Sequence, residues 1–194
     1  MVENMATIVD WYGPFGGQGT TAISAASAAA KKDFGPGLYI AVGHSQRVRR
    51  GPVTLLYAGI SADLATRVTP GHETLSKLSI STLWLGEIGT AGIPGRRAKR
   101  TDPHLDTVEW MTAYFLRVPY NDRKRVNPPP LSAVVLNRWW KPDYETPVER
   151  PVARWADVIE WNAINRTANL CWFGKRPKVV PLDDRGERIR RAAE

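Results

Sequence analysis

Gly37-Leu38-Tyr39-Ile40-Ala41-Val42-Gly43 and Val53-Thr54-Leu55-Leu56-Tyr57-Ala58-Gly59-Ile60 are two compact apolar runs, rich in strand formers and punctuated by glycine. A polar, arginine-containing stretch from His44 to Pro52 separates them, so they read as an antiparallel hairpin with a long loop. Ser61 is a good N-cap and predicts a short helix over Ala62 to Val68, stopped by Pro70-Gly71. Leu78 to Ile88 reads as a third strand, with Ile80, Thr82 and Trp84 on one face and Leu83 and Leu85 on the other. Asp102-Pro103 looks like an N-cap followed by proline at the first helical position. The helix it opens should run to about Arg117, with Leu105, Val108, Met111 or Thr112, and Phe115 as its apolar stripe. Glu109 falls at the edge of that stripe, where an acid can emerge beside the sheet while its backbone stays anchored.

Residues 1–36 read as an amino-terminal arm. Ile8 to Tyr12 predicts a short strand broken by Gly13-Pro14 and Gly16-Gly17. The Ala- and Ser-rich stretch from Thr20 to Lys32 predicts a helix. Residues 128–194 read as an extension behind the stiff Asn127-Pro128-Pro129-Pro130. Within it, Val134 to Leu136 and Leu170 to Phe173 predict strands, Trp155 to Arg166 a helix, and Asp183 to Glu194 a highly charged tail. The expected fold is α/β: a small, mainly antiparallel sheet of three or more strands flanked by helices. Residues 37–127 form the core, between an N-terminal arm and a C-terminal extension.

Composition narrows the function. The 194 residues carry a formal charge of +8, and 43% are hydrophobic. Such a basic surplus in an otherwise ordinary globular composition points to a polyanionic partner, nucleic acid first. The single cysteine, Cys171, permits no internal disulfide and no cysteine-built zinc site, and its apolar surroundings predict a small buried residue. No apolar stretch approaches 18 residues and Met1 to Asp10 lacks a signal-peptide pattern, so no membrane association and a cytoplasmic location are expected.

Hydrolysis of a phosphodiester requires that water lose a proton, that charge on phosphorus be neutralised and that the leaving oxygen be stabilised. A divalent cation can do two of these. Magnesium keeps most of its waters, so one carboxylate suffices to hold it at a phosphate, and Glu109 is the candidate for Mg2+ or Mn2+. A phenol is a poor base at neutral pH, but a nearby cation lowers its pKa. Tyr39 and Tyr57, at equivalent places on adjacent strands, can face one site. Arg67 lies ten residues after Tyr57 (67 − 57), across a strand end and about a turn and a half of helix. It can return a permanently charged, planar donor set to the scissile phosphate.

Gly37-Leu38-Tyr39, Tyr57-Ala58-Gly59, Ile60-Ser61, Asp63-Leu64, Arg67 and Val108-Glu109-Trp110-Met111 together resemble the GIY-YIG nucleases over roughly residues 37–127. Leucine and alanine replace isoleucine in the two signatures. The resemblance implies a GIY-YIG-like fold and metal-dependent endonucleolytic cleavage, with Tyr39 as first choice for general base, Tyr57 and His72 assisting, Arg67 stabilising the transition state and Glu109 holding the metal. Where many members place histidine or tyrosine four residues after the arginine, this chain has Gly71, with His72 next. The asparagine that follows the glutamate helix in the family is matched by Asn121, with Asn127 the alternative.

DNA is the expected polymer, with RNA possible, and the restriction-like setting, as monomer or homodimer, is the working expectation. Phosphate contacts are expected from Arg47, Arg49 and Arg50, from Arg96, Arg97, Lys99 and Arg100, from Arg123, Lys124 and Arg125, and from Arg138. Trp139 and Trp140 beside Arg138 either stack on bases or pack the extension onto the core. The alternative to an enzyme is the same site kept as a catalytically inactive nucleic-acid-binding module.

Overall fold

The computed structural model describes residues 5–16, 21–46, 51–89 and 103–182. Eleven elements follow in order: β1 Met5–Phe15, α1 Ala22–Asp33, β2 Gly37–His44, β3 Thr54–Ser61, α2 Leu64–Arg67, β4 Ser79–Ile88, α3 Pro103–Phe115, β5 Ala133–Trp140, β6 Val158–Asn162, β7 Thr167–Cys171 and β8 Lys178–Pro181. The eight strands form one sheet in the order β3-β2-β4-β1-β5-β6-β7-β8. All neighbours are antiparallel except β1 and β5, which run parallel from Met5 opposite Ala133 to Tyr12 opposite Trp140.

This architecture corrects the expected small sheet with an arm and an extension. The residues expected to form an arm supply a central strand, and those expected to form an extension supply half the sheet. β1 did not look central because Gly13-Pro14 reads as a breaker. The strand passes through that pair instead, with a register irregularity between Tyr12 and Phe15, the usual accommodation of proline in a sheet. Gly13 is there because the Trp84 ring lies against it: a Cβ at that position would come within 2.7 Å of Trp84 Cδ2.

The core confirms the integration. Trp11 of β1, Trp84 of β4, Trp139 of β5 and Trp155 all belong to one cluster, with Trp155 edge-on to the other three at centroid distances of 4.9, 6.3 and 5.7 Å. Asn137, fully buried on β5, accepts from Trp11 Nε1 at 2.8 Å and donates to the Ala156 carbonyl at 2.9 Å. Trp139 is therefore core packing. The helix expected over Trp155 to Arg166 is absent. Val158 to Asn162 is β6, where buried Ile159 and Trp161 flank exposed Glu160, a period of two. Cys171 is partly exposed, not buried as expected.

Helices sit on both faces. α1 presents Ala22, Ala26 and Ala30, small residues four apart that let it lie close over β1 and β4. Thr21 caps it by accepting from the Ser24 amide at 3.2 Å. α3 packs on the other face through Leu105, Val108, Met111 and Phe115. α2 starts two residues later than Ser61 implied, because Asp63 is the N-cap and accepts from the Ala65 amide at 2.9 Å. No helix among the described residues is long and apolar enough to cross a membrane.

Candidate active site

The site forms where the start of β2, the end of β3 and the segment after α2 converge. Tyr39 stands opposite Gly59 on β3, and its phenol ring lies over the space a side chain at Gly59 would fill. The ring is thereby directed towards the β3 edge and fully buried. Two donors meet its oxygen: His72 Nε2 at 2.8 Å and Arg67 Nε at 3.3 Å.

The local chain explains why His72 arrives. After α2, the Thr69 amide returns to the Arg67 carbonyl and the His72 amide to that of Thr69, a tight turn that carries Pro70-Gly71 outward and the histidine inward. His72 Nδ1 accepts from the backbone amides of Thr74 and Leu75 at 3.1 and 3.2 Å. With Nδ1 an acceptor, a neutral imidazole carries its proton on Nε2, so His72 donates to Tyr39. Burial, and then the positive charge of Arg67, hold the His72 pKa below its ordinary value, which keeps the ring neutral. His72 is thus a donor that supports the phenol oxygen; its nitrogens are not placed to take a proton from water.

Tyr57 completes the aromatic wall. Its ring centroid is 6.0 Å from that of Tyr39 and 5.9 Å from that of His72. Burial pushes the Tyr39 pKa up, and the neighbouring Tyr57 adds to it, against the lowering by Arg67. The expected lowering by a cation is real but outweighed, so the resting Tyr39 is a neutral phenol. Its hydroxyl oxygen can accept two hydrogen bonds and still donate one.

Glu109 projects from α3, which packs along β3. Its side chain is 12% exposed and accepts a hydrogen bond from Lys124 Nζ at 2.6 Å. Burial raises its pKa; Lys124 and, more weakly, Arg67 lower it. Lys124 also holds Asp106 Oδ1 at 2.6 Å, so one ammonium spans two carboxylates one helical turn apart. Asp106 was not among the sequence candidates. Its position three residues before Glu109 on the same helix was the signal for it.

Asn121 sits differently from the other candidates. Its Nδ2 donates to the Ala58 carbonyl at 2.6 Å and its Oδ1 accepts from the Ala58 amide at 2.8 Å. The Tyr120 amide donates to the Leu56 carbonyl at 3.1 Å. Together they dress the outer edge of β3, which would otherwise leave these backbone groups unpaired. Asn121 fixes the backbone between Tyr57 and Gly59 and is a positioning residue. Asn127, the alternative, has its carbonyl bonded to Trp110 Nε1 at 2.8 Å.

The basic residues divide. Arg47, Arg49, Arg50, Arg96, Arg97, Lys99 and Arg100 lie outside the described residues. Arg123 is exposed and Arg125 donates to the Pro119 carbonyl at 2.6 Å. Arg138 grips the buried carboxylate of Asp10 with two hydrogen bonds of 2.8 Å, and Trp140 Nε1 donates to the same carboxylate at 2.8 Å. This group ties β5 to β1 and engages the guanidinium edge that would have met a phosphate.

Glu109 is a mostly buried carboxylate, and the Lys124 ammonium takes one of the two oxygens that a divalent cation would use. Among the described residues there is no group of three or more metal-ligating side chains. A magnesium-type ion, which retains its waters, needs none. Protein-family models, curated proteins and solved structures were each compared with the chain, and none matches.

Proposed function

We propose that this chain is a metal-dependent endonuclease that hydrolyses DNA phosphodiester bonds at the Tyr39–Arg67–His72–Glu109 site. The observation that carries the reading is the environment of Tyr39 Oη, a buried phenol oxygen with a neutral imidazole N–H at 2.8 Å and an arginine N–H at 3.3 Å directed at it. Two N–H donors on one phenol oxygen lower the cost of forming the phenolate, against the burial that keeps the resting group neutral.

In this account the buried, resting phenol of Tyr39 first gives its proton to solvent as the site charges, and the phenolate so formed accepts the proton of the attacking water while His72 and Arg67 hold its oxygen in place. A cation held at Glu109 supplies charge neutralisation at the phosphate and a more acidic water. Arg67 presents its remaining guanidinium donors to the non-bridging oxygens as charge develops there. Tyr57 shields the phenol and limits the water that reaches it. Asn121 keeps β3 at the distance from β2 that this geometry needs.

A second reading has an observation in its favour. Lys124 holds Glu109 and Asp106 in an ion-paired network, as a nucleic-acid-binding module without turnover would have it. Incubation of the purified chain with supercoiled plasmid, with magnesium or manganese and with or without chelator, separates the two. Nicking that disappears with chelator supports the nuclease. Binding without nicking in either metal selects the module. Offering RNA and DNA in one competition identifies the polymer.

A further inference from the structure

We propose that Lys124 and the divalent cation compete for Glu109, so that metal entry expels the lysine and delivers its ammonium to the bound phosphate backbone. The inference rests on the nuclease reading of the site and assigns to Lys124 a role in substrate binding that depends on the metal.

The geometry is specific. Lys124 stands on the short 3-10 turn Arg123–Arg125, just beyond the Asn121 clamp that fixes that stretch to β3. Its ammonium lies 2.6 Å from Glu109 Oε2 and 2.6 Å from Asp106 Oδ1, and 6.0 Å from the centre of the Trp110 ring. Only 22% of its side chain is exposed. A magnesium ion sits about 2 Å from a carboxylate oxygen. It cannot share Oε2 with an ammonium at hydrogen-bond distance without placing three positive charges side by side. That repulsion favours the departure of one of the two cations from Oε2. Lys124 is the cation bonded to the contested oxygen, and its flexible four-carbon stem and exposed second partner Asp106 give the ammonium somewhere to go. The lysine is the one free to move.

Displacement has a consequence for binding. Before metal arrives, the ammonium is neutralised by two carboxylates and offers nothing to a phosphate. Afterwards it is a bare cation at the rim of the same site, beside exposed Arg123. DNA affinity therefore rises on metal binding by more than the metal's own contact provides.

The test uses the full chain without turnover. Mn2+ binding is titrated by electron paramagnetic resonance, and DNA binding is followed by fluorescence anisotropy with and without Ca2+. Wild type is compared with Lys124→Met and Lys124→Gln, two truncations of which either suffices should the other fail to fold. Loss of a charge-assisted hydrogen bond that opposes the metal should tighten Mn2+ binding by about tenfold. The same variants should lose most of the Ca2+-induced gain in DNA affinity that wild type shows. Mn2+ affinity that does not rise in the folded variants overturns the proposal, as does a full Ca2+-induced gain without the lysine. A wild-type chain that passes both measurements yet never nicks plasmid refutes the nuclease reading and leaves this competition standing.

Discussion

Tyr39 and Gly59 are cross-strand partners, and the phenol ring of the first occupies the side-chain space of the second. The glycine of the second signature is thus a steric requirement of the tyrosine in the first. Gly59→Ala should cost about 1–3 kcal/mol of stability, the usual range for overpacking, and should depress cleavage further by turning the phenol away from His72 and Arg67. Gly71→Ala is the control, because a Cβ there meets only Thr69 Oγ1 at 4.0 Å. Its stability should stay within about 0.5 kcal/mol of wild type. Urea unfolding of both variants checks the contrast.

His72 links fold and site, since its Nδ1 serves two backbone amides and its Nε2 serves Tyr39. Its folded pKa lies below the ordinary value near 6.5. The unfolded chain therefore binds more protons than the folded one as pH falls below about 6.5, and stability declines with it. Above that pH both states are neutral and the contribution is flat. His72→Gln should remove this decline while it retains an amide donor for Tyr39. Thermal unfolding across pH 5 to 8, read as the difference between wild type and variant, decides it.

Asn121 replaces a missing strand at Ala58. Asn121→Ala leaves two buried backbone groups without that partner and should cost about 1–3 kcal/mol. Amide exchange should accelerate at Ala58 and its neighbours before it does so elsewhere. Unchanged exchange there would show that the clamp is dispensable.

Much of this arrangement was legible in the sequence, for identifiable reasons. Tyr39, Tyr57, Arg67 and His72 converge because they are close in the chain and the hairpin, the short helix and the turn between them have strong local signals. The sheet's extent was not legible. β1 pairs with β5 across more than a hundred residues, and nothing in Met5 to Phe15 announces a partner at Ala133 to Trp140. β6 was misread because Trp155 and the residues after it are apolar enough for a helix, and only the alternation of Ile159, Glu160 and Trp161 says otherwise. The carboxylates that Arg138 and Lys124 meet were not legible, because charge alone cannot reveal an acid brought to it by tertiary structure.

Arg138 carries a prediction of its own. Its pair with Asp10 bridges parallel strands, with the carboxylate buried and the guanidinium side chain 45% exposed. Arg138→Ala should cost roughly 2 kcal/mol, at the low side of values for buried pairs because the arginine is half in water. It should leave the salt dependence of DNA binding unchanged, whereas a phosphate ligand would lower that slope by about one. A salt titration of DNA affinity distinguishes the two.

The central claim is that Tyr39, Arg67 and Glu109 act as one hydrolytic site. Single-turnover cleavage of supercoiled plasmid in Mn2+ by wild type, Tyr39→Phe, Arg67→Ala and Glu109→Ala, each first shown to be folded, tests it most directly. The account predicts that wild type cuts and that each variant is slower by about a hundredfold or more. A wild-type chain that never cuts, or a Glu109→Ala or Tyr39→Phe chain that cuts as wild type does, would contradict it.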